Sequence, residues 1–399
     1  MIEARETQDL NLLEDEAFRL HVRSWIEAEY PADLRNPPKR LHWEENKVWY
    51  YKLAEKGWLC PGWPREFGGL GLSPAKQIIF TEEVERHGCA RTNDHGIVMV
   101  GPLLINHGTR EQQQRFLPPM ARGEWLGAFA LSEPEAGSDA AALRCQAVRD
   151  GDDWLLSGTK AWVSHGNEAG VILCMARTDS PDDRQGSKGI STFILTPDLP
   201  GFHLAKKENK MGLRASPTLQ INLDNCRVPG DRLLGEAGQG FVYAMGSLDH
   251  GRLGIAAQAI GIARAALEAA VRYAGERKQF NKPIAEFQAI QFKLADMATR
   301  ITAARTLVHA AAAAKQRGEK ITRFSSMAKL FATETAMWVT TQAVQVFGGY
   351  GYVTDYPVER FFRDAKVTEI YEGTSEIQRI VIARETLAAA AAHDGSLPD

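Results

Sequence analysis

Cysteine is scarce and scattered: five thiols in 399 residues, Cys60, Cys89, Cys145, Cys174 and Cys226, none in a Cys-x-x-Cys pair. That excludes a disulfide framework and a zinc knuckle, and no metal site is expected. A surplus of one charge is also missing. The chain carries 47 Lys+Arg against 50 Asp+Glu, net -3, without long runs of either sign, which argues against a nucleic-acid groove or an anionic membrane as the main partner. No apolar run approaches the roughly 18 residues of a membrane span. The start, Met1-Ile2-Glu3-Ala4-Arg5-Glu6, lacks the basic and apolar regions of a signal peptide, so a cytoplasmic location is expected. No Gly-x-Gly-x-x-Gly follows a strand, and the near-miss Gly235-x-x-Gly238-x-Gly240 lacks a repeating βαβ context, which removes a Rossmann domain. What is present is an ordinary globular composition, 44% hydrophobic and 24% charged, long enough for two or three domains. A small or acyl-carrying substrate suits it.

Three textures follow one another. From about Leu10 to Ala121 apolar residues step as in helices: Phe18, Val22 and Trp25-Ile26 form one stripe, Val48 and Tyr51-Lys52-Leu53 another. Pro31, Pro37-Pro38, Pro61 to Pro64 and Gly68-Gly69-Leu70-Gly71 punctuate this zone, and Ser73-Pro74 opens a helix running through about Arg86. Between about Trp125 and Leu234 short β-rich runs take over: Trp154 to Leu156, Val171 to Met175, Ser191 to Leu195 and Leu219 to Leu223. Turn residues at hairpin-like spacing separate them, which predicts an antiparallel β domain, with Thr178 to Lys188 a surface loop.

From about Gly238 helices return and lengthen. Phe287, Ile290, Leu294, Met297, Ile301, Ala304 and Val308 alternate steps of three and four, the narrow seam of helices packed at small crossing angles. Segments at about 241–275, 283–317, 323–347 and 374–393, joined at Gly318, Gly348-Gly349 and Gly373, would form a four-helix bundle. The expected architecture is multi-domain α and β: an N-terminal helical domain over 1–124, a middle β domain over 125–236 and a C-terminal four-helix bundle domain over 237–399.

Five motifs restrict the function: Ser132-Glu133-Pro134-Glu135-Ala136-Gly137-Ser138-Asp139, Gly158-Thr159-Lys160-Ala161-Trp162-Val163-Ser164, Arg277-Lys278-Gln279-Phe280, Gln345-Val346-Phe347-Gly348-Gly349-Tyr350-Gly351 and Ile370-Tyr371-Glu372-Gly373-Thr374-Ser375-Glu376-Ile377-Gln378. In this order, over about 250 residues, the chain resembles the acyl-CoA dehydrogenase family along essentially its whole length. From Met211-Gly212-Leu213-Arg214 through Ile380 it looks most like the short-chain branch; Gly57 to Pro64 is less like it.

The resemblance implies FAD-dependent removal of a proton from Cα and a hydride from Cβ, giving a trans-2-enoyl-CoA, as one step of fatty acid metabolism. A proton beside a thioester carbonyl is weakly acidic, so a strong base is needed, and a desolvated carboxylate provides one. Glu372 matches the family's catalytic carboxylate, between Tyr371 and Gly373. Its plain alternative is a carboxylate favoured by the next helix's dipole. Some branches carry the base on an earlier bundle helix, at the position of Gly251, which here has no side chain.

For the flavin, the resemblance implicates Phe129 through Leu131 and Ser132, Trp162 and Ser164 around the ring, with Ser138 at the thioester side. Trp162 as β-domain core is the alternative. The pyrophosphate and adenosine would meet Arg277, Phe280 and Gln288 on one side and Gln345, Gly348 and Gly349 on the other, partly from another subunit, with Thr374 and Glu376 nearby. A surface arginine and a helix-capping glycine pair are the alternative. Ser138, Asp249, Arg252, Tyr371 and Gly373 match the acyl-pantetheine channel, although Asp249 and Arg252 could equally be a structural i,i+3 pair. Apolar residues selecting chain length are expected around Ile97 to Leu104. Three departures stand out: His165 for Asn, Glu135 for a small residue, and Asn281 for Gly after Phe280. The expected assembly is a homotetramer, a dimer of dimers. The expected electron acceptor is an electron-transferring flavoprotein docking near Trp162 and the loop Lys206 to Lys210. An oxidase using dioxygen and a non-catalytic acyl-CoA-binding relative remain as alternatives.

Overall fold

The computed structural model describes residues 8–35, 43–89, 95–180 and 186–392. The residues Met1 to Glu6, Pro37-Pro38 and the centre of the Thr178–Lys188 loop lie outside them. The first helices are α1 (Asp15–Glu29), α2 (Trp43–Lys56), α3 (Pro74–His87), α4 (Gly101–His107) and α5 (Arg110–Ala121). Ser73 caps α3 as its spacing predicts: the hydroxyl accepts from the Lys76 amide at 3.4 Å, and Gly88, at φ +78°, ends the helix. The stripe of α1 is buried through Phe18, Val22 and Ile26. The stripe expected for α2 is not. That helix buries Trp49, Tyr50 and Leu53 while Val48 and Tyr51 face solvent, because four consecutive apolar residues surround a helix and define no face.

One eight-stranded sheet makes the middle zone: β1 (Leu126–Ala130), β2 (Gln146–Asp150), β3 (Asp153–Ser164), β4 (Ala169–Arg177), β5 (Ile190–Leu195), β6 (Phe202–Lys207), β7 (Thr218–Val228) and β8 (Leu233–Leu234). The order is β6-β7-β3-β2-β4-β5-β8, with β1 beside β4. The sheet is mixed, not antiparallel throughout. β1 runs parallel to β4, pairing Phe129 with Leu173, and β2 meets β4 in parallel at Gln146 and Arg177. All five β1 residues are buried, so no alternation marks its direction in the sequence. The charged segment Lys206 to Lys210 is also not purely a loop: Lys206 and Lys207 end the edge strand β6, where lysines discourage pairing with another chain.

The last zone holds α6 (Gly240–Glu276), a small hairpin β9 (Lys278–Gln279) and β10 (Lys282–Pro283), then α7 (Gln288–Gln316), α8 (Thr322–Phe347), α9 (Val358–Lys366) and α10 (Ser375–Ala392). The four long helices fall where the periodicity puts them. In the seam Met297, Ile301, Ala304 and Val308 are buried, whereas Phe287, Ile290 and Leu294 are half-buried around the helix start. Helix α9 is an addition that its nine residues did not announce. It docks the β domain on the bundle: the Leu213 amide donates to Asp364 Oδ1 at 2.6 Å, and Arg363 donates to the Met211 carbonyl at 3.0 Å. Among described helices only α6 is long and apolar enough to cross a membrane, and 72% of its most apolar stretch is packed inside the protein.

A buried ionic cluster joins the N-terminal helices to the bundle. Glu82 and Glu83 on α3 are enclosed, with Arg19 of α1 at 2.8 and 2.7 Å, Arg264 of α6 3.0 Å from Glu83, and Arg305 of α7 3.3 Å from Glu82. Burial pushes both carboxyls up, but the surrounding cations outweigh it and hold each down to about 2.

Candidate active site

Glu372 lies in the turn between α9 and α10. It is held at φ +53° and followed by Gly373 at φ +90°, two left-handed residues in succession. For a glutamate that conformation is uncommon and strained. Side chains from other elements fix it. Lys329 Nζ on α8 donates to the Gly373 carbonyl at 2.6 Å, and Gln378 Nε2 donates to the Gly373 and Glu372 carbonyls at 2.9 and 3.2 Å.

The turn aims the carboxylate at α6. Oε2 is shielded from solvent, and a Cβ built on Gly251 would stand 2.1 Å from it. The helix-dipole alternative predicts instead a carboxylate over the start of α10. Tyr371 anchors the same turn, its hydroxyl donating to the buried Gln258 side chain of α6.

Asp249 and Arg252 form the i,i+3 pair that the sequence allows as purely structural, Nη1 to Oδ1 at 2.6 Å. Arg252 also donates to Ser326 Oγ at 3.4 Å, and Thr322 donates to Asp249 Oδ2 at 2.8 Å, so α6 and α8 share the pair. Burial lowers the Arg252 pKa, against attraction from Asp249 and Glu372. The guanidinium and the Lys329 ammonium thus share the electrostatic environment of Glu372.

Trp162 is 63% exposed, so the reading as β-domain core fails. The register of β3 against β7 breaks between Lys160 and Val163, and Trp162 has φ +61°; this bulge turns the indole out of the sheet. Ser164 is buried at the end of β3. Phe129 and Leu131 are buried in an apolar cluster with Met99, Val100, Leu103 and Leu104. That cluster takes in much of the Ile97 to Leu104 stretch, although Val98 faces outward. Ser132 is half-buried, its carbonyl accepting from Ala161 at 2.9 Å, while Glu135 and Ser138 are exposed. His165 is buried, with Nδ1 2.8 Å from Glu168 and Nε2 3.0 Å from Ser216.

A second site sits at one end of the bundle. A cavity of about 960 Å3 is lined by Arg277, Phe280, Phe347, Gly348, Gly349 and Tyr350 among others, with Arg277 over the Tyr350 ring at 5.4 Å. The arginine motif and the glycine motif, expected on two sides, therefore face the same cavity of one chain. Neither Trp162 nor Glu372 lines it. Gln288 begins α7 and Gln345 lies in the last turn of α8, both exposed and neither among the cavity residues. Gly348 needs glycine for its φ of +61°, whereas Gly349 has an ordinary φ and open space around a would-be Cβ. Phe280 and Asn281, at φ +51° and +62°, make the two-residue turn between β9 and β10. Asparagine tolerates this conformation, so the turn survives the loss of glycine. Phe280 is 87% exposed, an unusual place for a strained aromatic residue. Thr374 caps α10, accepting from the Ile377 amide at 3.3 Å, and Glu376 is exposed in its first turn.

Lys329, Gln258 and Gln378 are the residues sequence reasoning gave no role. Only Gln378 lay inside a recognised motif. Among the described residues no group of three or more His, Cys, Asp or Glu could hold a metal.

Family models match over nearly the whole chain: acyl-CoA dehydrogenase N-terminal domain at residues 13–124, middle domain at 128–226 and C-terminal domain at 238–387. A probable acyl-CoA dehydrogenase fadE25 of Mycobacterium leprae is 45% identical over 376 residues, 94% of this chain and 95% of that one. The mitochondrial short-chain specific acyl-CoA dehydrogenase of Rattus norvegicus is 47% identical over 343 residues, 84% and 81% of the two chains. The butyryl-CoA dehydrogenase structure from Megasphaera elsdenii superposes with a TM-score of 0.85 at 38% identity, covering 94% of this chain and 99% of that one.

Proposed function

The chain belongs to the acyl-CoA dehydrogenase family and is an FAD-dependent oxidoreductase acting on acyl-CoA, and from that premise we propose that it converts a short-chain or modestly branched acyl-CoA to the trans-2-enoyl-CoA, with Glu372 taking the α-proton. The observation that carries the reading is the Glu372 carboxylate, aimed from a strained turn into the space that a glycine on α6 leaves open. A carboxylate so placed has few waters competing for its lone pairs, as a carbon acid requires of its base. Gly373 keeps the backbone beside it free of a side chain.

The residues fit a flavin. An exposed indole on a bulge offers a flat apolar wall, Ser164 and the Ser132 backbone lie at neighbouring strand ends, and Arg277 offers positive charge for a pyrophosphate in the cavity that Gly348 and Gly349 help to line. When bound, FAD supplies the acceptor for the β-hydride. Because the cavity of Arg277 excludes Trp162 and Glu372, we read it as serving the flavin of a second copy, which favours a dimer and, from two of them, a tetramer. The pair Asp249–Arg252 lines the thioester side in this reading. The exposed Trp162 is where an electron-transferring flavoprotein would approach.

The test is an anaerobic panel of straight, branched and aromatic acyl-CoAs, scored by loss of oxidised flavin absorbance. Glu372→Gln should keep FAD and bind acyl-CoA without bleaching; undiminished bleaching in that variant rules Glu372 out as the base. Purification of a colourless protein would point to a non-catalytic relative, and rapid aerobic reoxidation with peroxide to an oxidase.

A further inference from the structure

We propose that Lys329 is the positioning residue for Glu372, an ammonium buried in the bundle that ties down the backbone beside the base and supplies positive charge near its carboxylate. This rests on the reading of Glu372 as the base. Lys329 is completely buried, and burying an ammonium is costly unless it is paired. Its hydrogen bond goes to the Gly373 carbonyl at 2.6 Å, across 44 residues and from helix to turn. The residue it fixes follows Glu372 directly, and the pair carries the strained φ values of +53° and +90°. A left-handed glutamate persists only when its surroundings over-determine it, and Lys329 and Gln378 supply that determination.

The charges facing the ammonium come from both sides. Glu372, Glu369 and Glu376 attract it, and Arg252 on α6 repels it, though Arg252 is itself bonded to Asp249. Burial dominates and lowers the Lys329 pKa to about 8, so the side chain is largely protonated at neutral pH. A cation beside a carboxylate favours its ionised form, so Lys329 keeps Glu372 ready to accept a proton at lower pH than it otherwise would. Removing the charge should therefore move the acid limb of the pH–rate profile upward.

The experiment compares wild type, Lys329→Met and Lys329→Arg, each as the FAD-loaded enzyme. It measures the pH dependence of anaerobic flavin reduction by a substrate acyl-CoA, and amide hydrogen exchange across residues 370–376 with no substrate present. Lys329→Met should raise the acid limb by about one pH unit, a carboxylate–cation effect at the low end of the usual range, and speed exchange in the turn at least tenfold. Lys329→Arg keeps the charge and should hold the limb within a few tenths of a unit. A Lys329→Met enzyme with unchanged limb and unchanged exchange overturns the proposal. If that variant does not accumulate as a flavoprotein, Lys329→Arg decides: faster exchange with an unmoved limb supports the role, and wild-type exchange with a moved limb overturns it. Wild-type flavin that no acyl-CoA bleaches would instead defeat the reading of Glu372, independently of Lys329.

Discussion

Gly251→Ala places one methyl group against the reacting end of the base. The new Cβ would lie 2.1 Å from Glu372 Oε2, 2.9 Å from Cδ and 3.2 Å from Oε1, where ordinary contact begins at 3.4 Å. The carboxylate must retreat by about 1 Å, and as the end of a flexible side chain it can. Folding should hardly suffer, since alanine is favoured over glycine inside a helix by about 1 kcal/mol. Catalysis should suffer, because about 1 Å of misplacement at a reacting group costs on the order of 100-fold, close to 3 kcal/mol in barrier. The assay is the first-order rate of anaerobic flavin bleaching, with thermal unfolding and FAD content on the same preparation. Gly254→Ala, on the same helix but with open space around its Cβ, is the control and should bleach normally. A Gly251→Ala enzyme that retains FAD and bleaches within about twofold of wild type would refute the placement of the base, since a group elsewhere would not feel that methyl.

Acid should weaken the joint between the N-terminal helices and the bundle. Glu82 and Glu83 are held at about 2 in the folded protein against an ordinary 4.5, so their contribution is complete above 4.5 and is lost as pH falls toward 2. Linkage puts it at about 3 kcal/mol per group, and urea unfolding between pH 7 and 3 should show a slope that Glu82→Gln reduces. Arg252→Ala should raise the Michaelis constant for acyl-CoA much more than it lowers FAD content, with some loss of thermal stability because Asp249 loses its partner. Equal loss of FAD and substrate affinity would reduce Arg252 to a folding role.

The long helices were legible because apolar periodicity over three or more turns leaves few alternatives, and α6, α7, α8 and α10 lie where it placed them. Strand direction was not legible. β1 is buried at every residue, and its parallel partner β4 comes only after the β2–β3 hairpin. Trp162 could be assigned by resemblance alone, since a tryptophan in a strand reads as core until the bulge that turns it outward is seen. Lys329 was invisible for a different reason. A lysine among the apolar positions of α8 looks like a polar residue on a solvated face, and only the fold brings it to a turn 44 residues away.

The ionic cluster around Glu82 and Glu83 bears on how the protein is made. Arg305 lies 223 residues beyond Glu82, and Arg264 lies 181 beyond Glu83. At translation speeds of roughly 5–20 residues per second, α1 to α3 leave the ribosome about 10 to 45 seconds before their last counter-ion exists. During that interval only Arg19, Arg23 and Arg86 of the same segment partner two acidic side chains that the finished molecule encloses with further cations. The amino-terminal third is thus an unfinished folding unit in the nascent chain, completed only when the carboxyl-terminal helices arrive.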